Sequence, residues 1–215
     1  MLHGCWIDGV NTLDVYGLFL LSDLKIGAPE KKTNYIDIPG ADGSLDMSDY
    51  PQGRPVYKNR TISFRLFRHT DEVTFARILA CLRRQYHGRS VRLRLPNDCE
   101  HYYKGVMSIG DTANYHACTI PVTMLAEPYK LQLEETEVVV AVSGVKTVSL
   151  YNEGKPAVPE ISTTDDITIA WGSSSVSVSA GSGILIPSFI LEAGYTGVTI
   201  TGNATVTFTY QEGTL

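Results

Sequence analysis

Paired cysteines, long apolar runs and hydrolase signatures are all missing from this chain of 215 residues. Its four cysteines, Cys5, Cys81, Cys99 and Cys118, form no CxxC pair and sit at no paired-histidine zinc spacing. Free thiols are therefore expected, as in a reducing cytoplasm, with no bound metal and no cofactor. The longest apolar candidate, Val15 to Leu24, is broken by Gly17, Ser22 and Asp23, so no membrane insertion is expected. Met1-Leu2-His3-Gly4 has no basic residues of the kind that open a secretory signal, and none is expected. There is no GxSxG or HExxH, and nothing fixes two carboxylates at a catalytic separation. Two Cys/His neighbours, Cys99 with His101 and Cys118 with His116, lack an oxyanion site and an orienting partner. The chain is not expected to be an enzyme, and a hydrolase is the weakest of three readings. Helical periodicity is scarce too. With 19 glycines and abundant Val, Thr and Ser, the fold class is mainly β.

The most legible stretch runs from Tyr35 to Leu66. Tyr35, Ile36 and Ile38 form a short strand that stops at Pro39, which has no N–H for a central ladder. Pro39, Gly40, Ala41, Asp42 and Gly43 then make a turn, since these residues accept positive φ or cap their own backbone. Asp37, Asp42, Asp46 and Asp49 flank turns, where Asp is favoured for backbone reasons. Val56 to Phe67 alternates, with Ile62, Phe64 and Leu66 on one side, and predicts a strand with one apolar face.

Upstream, Asp8-Gly9 is a hairpin signal, and Asn11 to Ile26 reads as strand segments around Gly17. Downstream lies the one defensible helix: Thr70 as cap, Asp71 and Glu72 in the first turn, Gly88 as stop, and Phe75, Ile78, Leu79, Leu82 and Tyr86 as one apolar stripe. Val91–Leu95, Tyr102–Ile109 and His116–Leu125 are predicted strands. From Arg60 to Arg94 nine arginines face only Asp71 and Glu72, a local charge of +7. Split between strand and helix, without interleaved aromatics, they read as a solvated or subunit-contacting face rather than a nucleic-acid site.

Charge divides the chain in two. Residues 1–130 hold 16 Lys+Arg against 14 Asp+Glu, and residues 131–215 hold 2 against 9. We therefore expect two domains, 1–130 and 131–215. In the second, the runs Val138–Val142, Lys146–Tyr151, Val158–Ser162, Ile167–Trp171, Ser174–Ser179, Ile184–Leu191, Val198–Thr201 and Thr205–Tyr210 recur at strand spacing, with turn-rich hairpins at Gly172–Gly183 and Gly194–Gly202. This cadence predicts an antiparallel β-sandwich. Trp171 with Tyr195 or Tyr210 could stack on a sugar, although Trp171 also ends an apolar strand as a core residue would.

Ile38, Pro39, Gly40, Asp42, Gly43 and Leu45, followed by Tyr57, Asn59, Arg60 and Ile62, resemble the N-terminal signature of the siphophage distal tail protein family. After the helix, the turn and strand from Asn97 to Gly105 and the closing Glu127, Pro128 and Tyr129 resemble the end of that family's N-terminal domain. The resemblance implies a β-sandwich or barrel-like N-terminal domain with one helix, followed by a galectin-like β-sandwich. It also implies a structural virion protein at the tail tip, assembled in the host cytoplasm. Its partners would be five further copies in a hexameric ring, the tail-tube protein, the tail-associated hub protein and receptor-binding or baseplate proteins, with DNA only passing through the channel. The runner-up is a carbohydrate-binding adhesion module that works without a ring.

Overall fold

The structure, a computed structural model, describes residues 3–111 and 118–215. It divides into two compact units, Met1–Pro128 and Tyr129–Leu215. Both are mainly β, each built on a curled antiparallel sheet.

The first unit contains β1 (Trp6–Ile7), β2 (Val10–Asn11), α1 (Thr12–Tyr16), β3 (Phe19–Leu20), β4 (Lys25–Ile26), β5 (Tyr35–Asp37), β6 (Ser44–Asp46), β7 (Arg60–Phe67), α2 (Glu72–Tyr86), β8 (Ser90–Leu95), β9 (Asp98–Ile109) and β10 (Thr119–Ala126). The main sheet runs β2-β1-β8-β9-β10-β7-β3, with β4 also on β7. Alternation in β7 turns Ile62, Phe64 and Leu66 inward, where they meet Phe75, Leu79, Leu82 and Tyr86 of α2 in one core. The Asp8-Gly9 hairpin forms as read, with both residues at positive φ, 49° and 82°, as a two-residue loop between twisted strands requires.

Two local readings need correction. Residues 12–16 are helical rather than extended: Asn11 Oδ1 accepts the Leu13 N–H at 2.9 Å, and Gly17, at φ 64°, ends the turn. The cap of α2 is Asp71, not Thr70; Asp71 Oδ1 accepts the Thr74 N–H at 2.9 Å and Thr70 hydrogen-bonds the Asp71 side chain. A carboxylate takes the cap over a hydroxyl because it accepts N–H bonds as an anion at the positive end of the helix.

The second unit contains β11 (Lys130–Gln132), β12 (Thr136–Asn152), β13 (Glu160–Thr163), β14 (Ile167–Trp171), β15 (Ser174–Val178), β16 (Gly181–Leu185), β17 (Gly194–Tyr210) and β18 (Gly213–Thr214). Its larger sheet runs β15-β14-β17-β13-β16, with β12 along the other side of β17, and β11 pairs with β18. Two pairs of expected strands are each one long strand. Val138–Val142 and Lys146–Tyr151 both lie in β12, which keeps register with β17 from Thr136↔Tyr210 to Asn152↔Gly194. The interruption is only local: Gly144 and Gly202 face each other at φ 83° and 147°, and Asn203 Oδ1 accepts the Gly144 N–H at 3.0 Å. Gly194–Gly202 is consequently strand interior, not a hairpin. The expected strand Ile184–Leu191 ends at Leu185, ahead of Pro187, while Phe189 and Leu191 are buried from the loop beyond.

The buried side chains of Glu212 and Asn152 in this unit make hydrogen bonds, although Asn152 Oδ1 has none among the described residues. Glu212 accepts from the Thr136 hydroxyl at 2.5 Å and the Glu153 N–H at 2.8 Å, and Asn152 donates to the carbonyls of Lys155 at 2.7 Å and Leu191 at 2.8 Å.

Candidate functional site

The stretch that was clearest in the sequence forms an arm. Among the described residues β5 and β6 pair only with each other, as Tyr35↔Asp46, Ile36↔Leu45 and Asp37↔Ser44. Pro39 and Gly40 occupy the central positions of a type II turn, with Gly40 at φ 84° and the Ala41 N–H donating to Ile38 O at 3.1 Å. Period two then sorts the side chains: Ile36, Ile38 and Leu45 share one face, and Tyr35, Asp37, Ser44 and Asp46 the other. The apolar face is uncovered, with Ile36 46%, Ile38 48% and Leu45 49% exposed. Asp42 and Gly43 sit exposed at the tip, where Gly43 has φ 77°.

The base of the arm is fastened. Lys31 Nζ lies 2.8 Å from Asp49 and its backbone bridges to Tyr57, while the Met47 N–H donates to Asn34 O at 2.8 Å and the Asn34 N–H to Ser48 Oγ at 2.9 Å. The Asp49 carboxylate raises the Lys31 pKa, and hydrogen bonds from Ser48 hold the Asp46 carboxyl below its usual range. Between residues 35 and 50 there are four aspartates and no Lys or Arg.

The two family-like motifs meet at Arg60. Its guanidinium, 6% exposed, donates through Nη2 to the carbonyl of Pro128 and lies 5.7 Å from the Tyr103 ring centroid. Burial lowers its pKa, which the nearby Tyr103 partly offsets. Beside it the Glu127 N–H donates to Lys104 O at 2.8 Å, and its carboxylate stands 3.8 Å from Lys104 Nζ. Asn59 is exposed, and Tyr57 and Tyr129 are half-buried. Pro39, Gly40, Asp42 and Gly43 thus shape the arm, whereas Arg60, Glu127 and Pro128 close the end of the first unit.

Most of the remaining arginines serve the fold. Arg65 pairs with Asp23, Arg68 donates to Tyr16 O at 2.6 Å, and Arg83 bonds Gly110 O at 2.9 Å and pairs with Asp111. Arg92 stacks on Tyr102 at 5.1 Å and Arg94 on Trp6 at 4.3 Å. These aromatic partners come from other strands, which linear proximity does not show. Arg77 and Arg84 are different. They stand on the polar side of α2 that the sequence assigns to Arg77, Arg83 and Arg84, and beside them Val73, Ala76 and Ala80 form an exposed apolar stripe that it did not single out. Spacing of three and four on that side was its available signal.

Among the described residues no thiol is paired with a histidine. Cys5 is buried and its pKa pushed up to about 11, Cys118 donates to Thr70 O, and Cys99 faces Pro96 O while His101 pairs with Asp98. His116 lies outside the described residues. Among the described residues no group of three His, Cys, Asp or Glu could hold a metal.

In the second unit Trp171 packs on Phe189, with ring centroids 4.7 Å apart. It pairs with Val198, placing it on the sheet face opposite Tyr195. Tyr210 is 4% exposed, and burial beside Glu212 pushes its pKa up to about 12. Tyr195 is instead 78% exposed and stacks with its cross-strand partner Tyr151 at 5.0 Å. The structure does not bring Trp171, Tyr195 and Tyr210 to one place.

No family model matches the sequence, and no curated protein matches it. Among solved structures the chain is similar to the crystal structure of the Dit protein of phage SPP1, described as a paradigm of the hub adsorption apparatus in phages that infect Gram-positive bacteria. The TM-score is 0.66 at 16% identity, over 99% of each chain. The resemblance to distal tail proteins read from the motifs is matched at the level of fold, and both units of this chain are covered by that likeness.

Proposed function

We propose that this chain is a structural protein of a phage tail tip, a distal tail protein that joins the tail tube to the tip hub. The observation that carries this reading is the likeness to SPP1 Dit across both units, not one domain alone. Six copies form a closed ring through head-to-tail contacts, which close only when the rotation between neighbours is a sixth of a turn. The first unit, residues 1–130 in sequence terms, builds the ring and surrounds a channel through which DNA passes. The second, 131–215, is a galectin-like sandwich that holds receptor-binding or baseplate proteins. One face of the ring meets the tail-tube protein and the other the tail-associated hub protein. The role is geometric and involves no catalysis. Ring assembly also gives the exposed apolar face of the arm something to bury, since a lone hairpin of three residue pairs is marginal in water.

Light scattering across a range of protein and salt concentrations tests this reading. A discrete hexamer supports it. A monomer at every concentration, unchanged by the neighbouring tail proteins, removes it. A second reading, a carbohydrate-binding module, draws on the exposed Tyr151–Tyr195 pair rather than Trp171. Glycan affinity of a monomer that is lost in Tyr195→Ala would favour it.

A further inference from the structure

We propose that in the assembled ring the apolar face of the β5–β6 arm seats on the exposed stripe of α2 in the next copy. This contact rests on the ring reading above and assigns it two specific surfaces. The arm presents Ile36, Ile38 and Leu45 from one side of a hairpin held only at its base. The stripe presents Val73, 62% exposed, with Ala76 and Ala80, which have no bulk to hold a strand pair away. Together with Glu72 and Arg77 these residues line an open depression of about 560 Å³.

Charge selects the pairing. Residues 35–50 carry Asp37, Asp42, Asp46 and Asp49 with no basic residue, so the arm is uniformly acidic. The stripe carries Arg77 and Arg84, which make no ion pair among the described residues, unlike Arg65 and Arg83. Seating Ile36 and Leu45 over Ala76 and Ala80 leaves Asp37 and Asp46 on the outer face of the arm and directs the tip carboxylate of Asp42 toward these guanidiniums. Such rim pairs set register and exclude wrong partners more than they add affinity. The donor surface and the acceptor surface are different parts of one chain. Used head to tail, such a contact propagates around a ring; exchanged reciprocally by two copies it would close a two-fold dimer, which the solution mass distinguishes.

The test uses full-length chains carrying Cys81→Ala and Cys99→Ser, so that Cys5 and Cys118, both buried, are the only native thiols left. One preparation adds Ile36→Cys, the other, tagged, Ala76→Cys; they are mixed at assembling concentration and mildly oxidised. The expected result is a tagged–untagged disulfide dimer in the mixture, at least ten times more abundant than like–like dimers in either preparation alone. In a separate pair of variants, Arg77→Glu with Arg84→Glu lowers the mass from ring to monomer, and adding Asp42→Lys restores the ring. A ring that forms without the disulfide and is indifferent to charge reversal overturns the contact while leaving the ring reading standing. A chain that stays monomeric at every concentration and with its neighbouring tail proteins overturns both.

Discussion

Two antiparallel strand pairs in this protein obey the same pairing rules and reach opposite ends. β12 and β17 stay in register over seventeen residues each, and Val140, Leu150, Val198, Ile200, Val206 and Phe208 send one face into a core. β5 and β6 pair over three residues each, and Ile36 and Leu45, equally apolar, face solvent. The hydrogen-bond ladder alone does not distinguish them. The ribbon is stabilised by apolar area removed from water, about 25 cal/mol per Å², and the arm has a face of the same chemistry that the described residues leave exposed. Identical local rules thus yield a buried face in one place and an exposed apolar face in the other.

That contrast can be broken most severely in the ribbon. Phe208 is fully buried and packs edge-on to Phe189 at 6.3 Å, so Phe208→Ala is expected to cost about 3–5 kcal/mol in urea unfolding of the second unit. Gly202→Ala should cost about 2 kcal/mol in the same assay, because φ 147° strains any side chain and the new Cβ would lie 2.9 Å from Ile167. On the arm the same experiment should show little. Ile36→Ser and Leu45→Ser are expected to leave monomer stability within about 0.5 kcal/mol of wild type while shifting light-scattering mass from ring toward monomer.

The smallest effect concerns the helix that would receive the arm. Hydrogen bonds from Thr74 hold the pKa of the Asp71 carboxyl at about 2, below its ordinary value of 3.8. A depressed carboxyl favours the folded state above the unfolded pKa and loses that contribution as pH falls through the folded one. Helix content followed by circular dichroism should therefore decline between about pH 4 and pH 2, with a shallower decline in Asp71→Asn.

Legibility in the sequence followed the range of the interaction. Period two in β7, the Asp8-Gly9 loop, the Pro39-Gly40 turn and the apolar stripe of α2 are set within a few residues, and each could be read directly. Asn11 and Gly17 were visible as well, but a single helical turn between a cap and a left-handed stop carries too little periodicity to separate from strand. The union of two runs into β12 was hidden because Gly144 is a break only if nothing faces it, and its partner Gly202 lies 58 residues away. The closure of Arg60 on Pro128 was hidden for the same reason, although both residues stood in the motifs. On the outer side of α2 the arginines were legible, but Val73, Ala76 and Ala80 between them carry too little apolar bulk to read as a second face.

The most direct measurement is amide hydrogen exchange of β5 and β6 beside that of β12 and β17, in dilute monomer and in concentrated assembly. The account predicts that the arm amides exchange freely in the monomer and become protected in the assembly, whereas the ribbon is equally protected in both. Arm amides already protected in the monomer, or still unprotected in a formed ring, would contradict it.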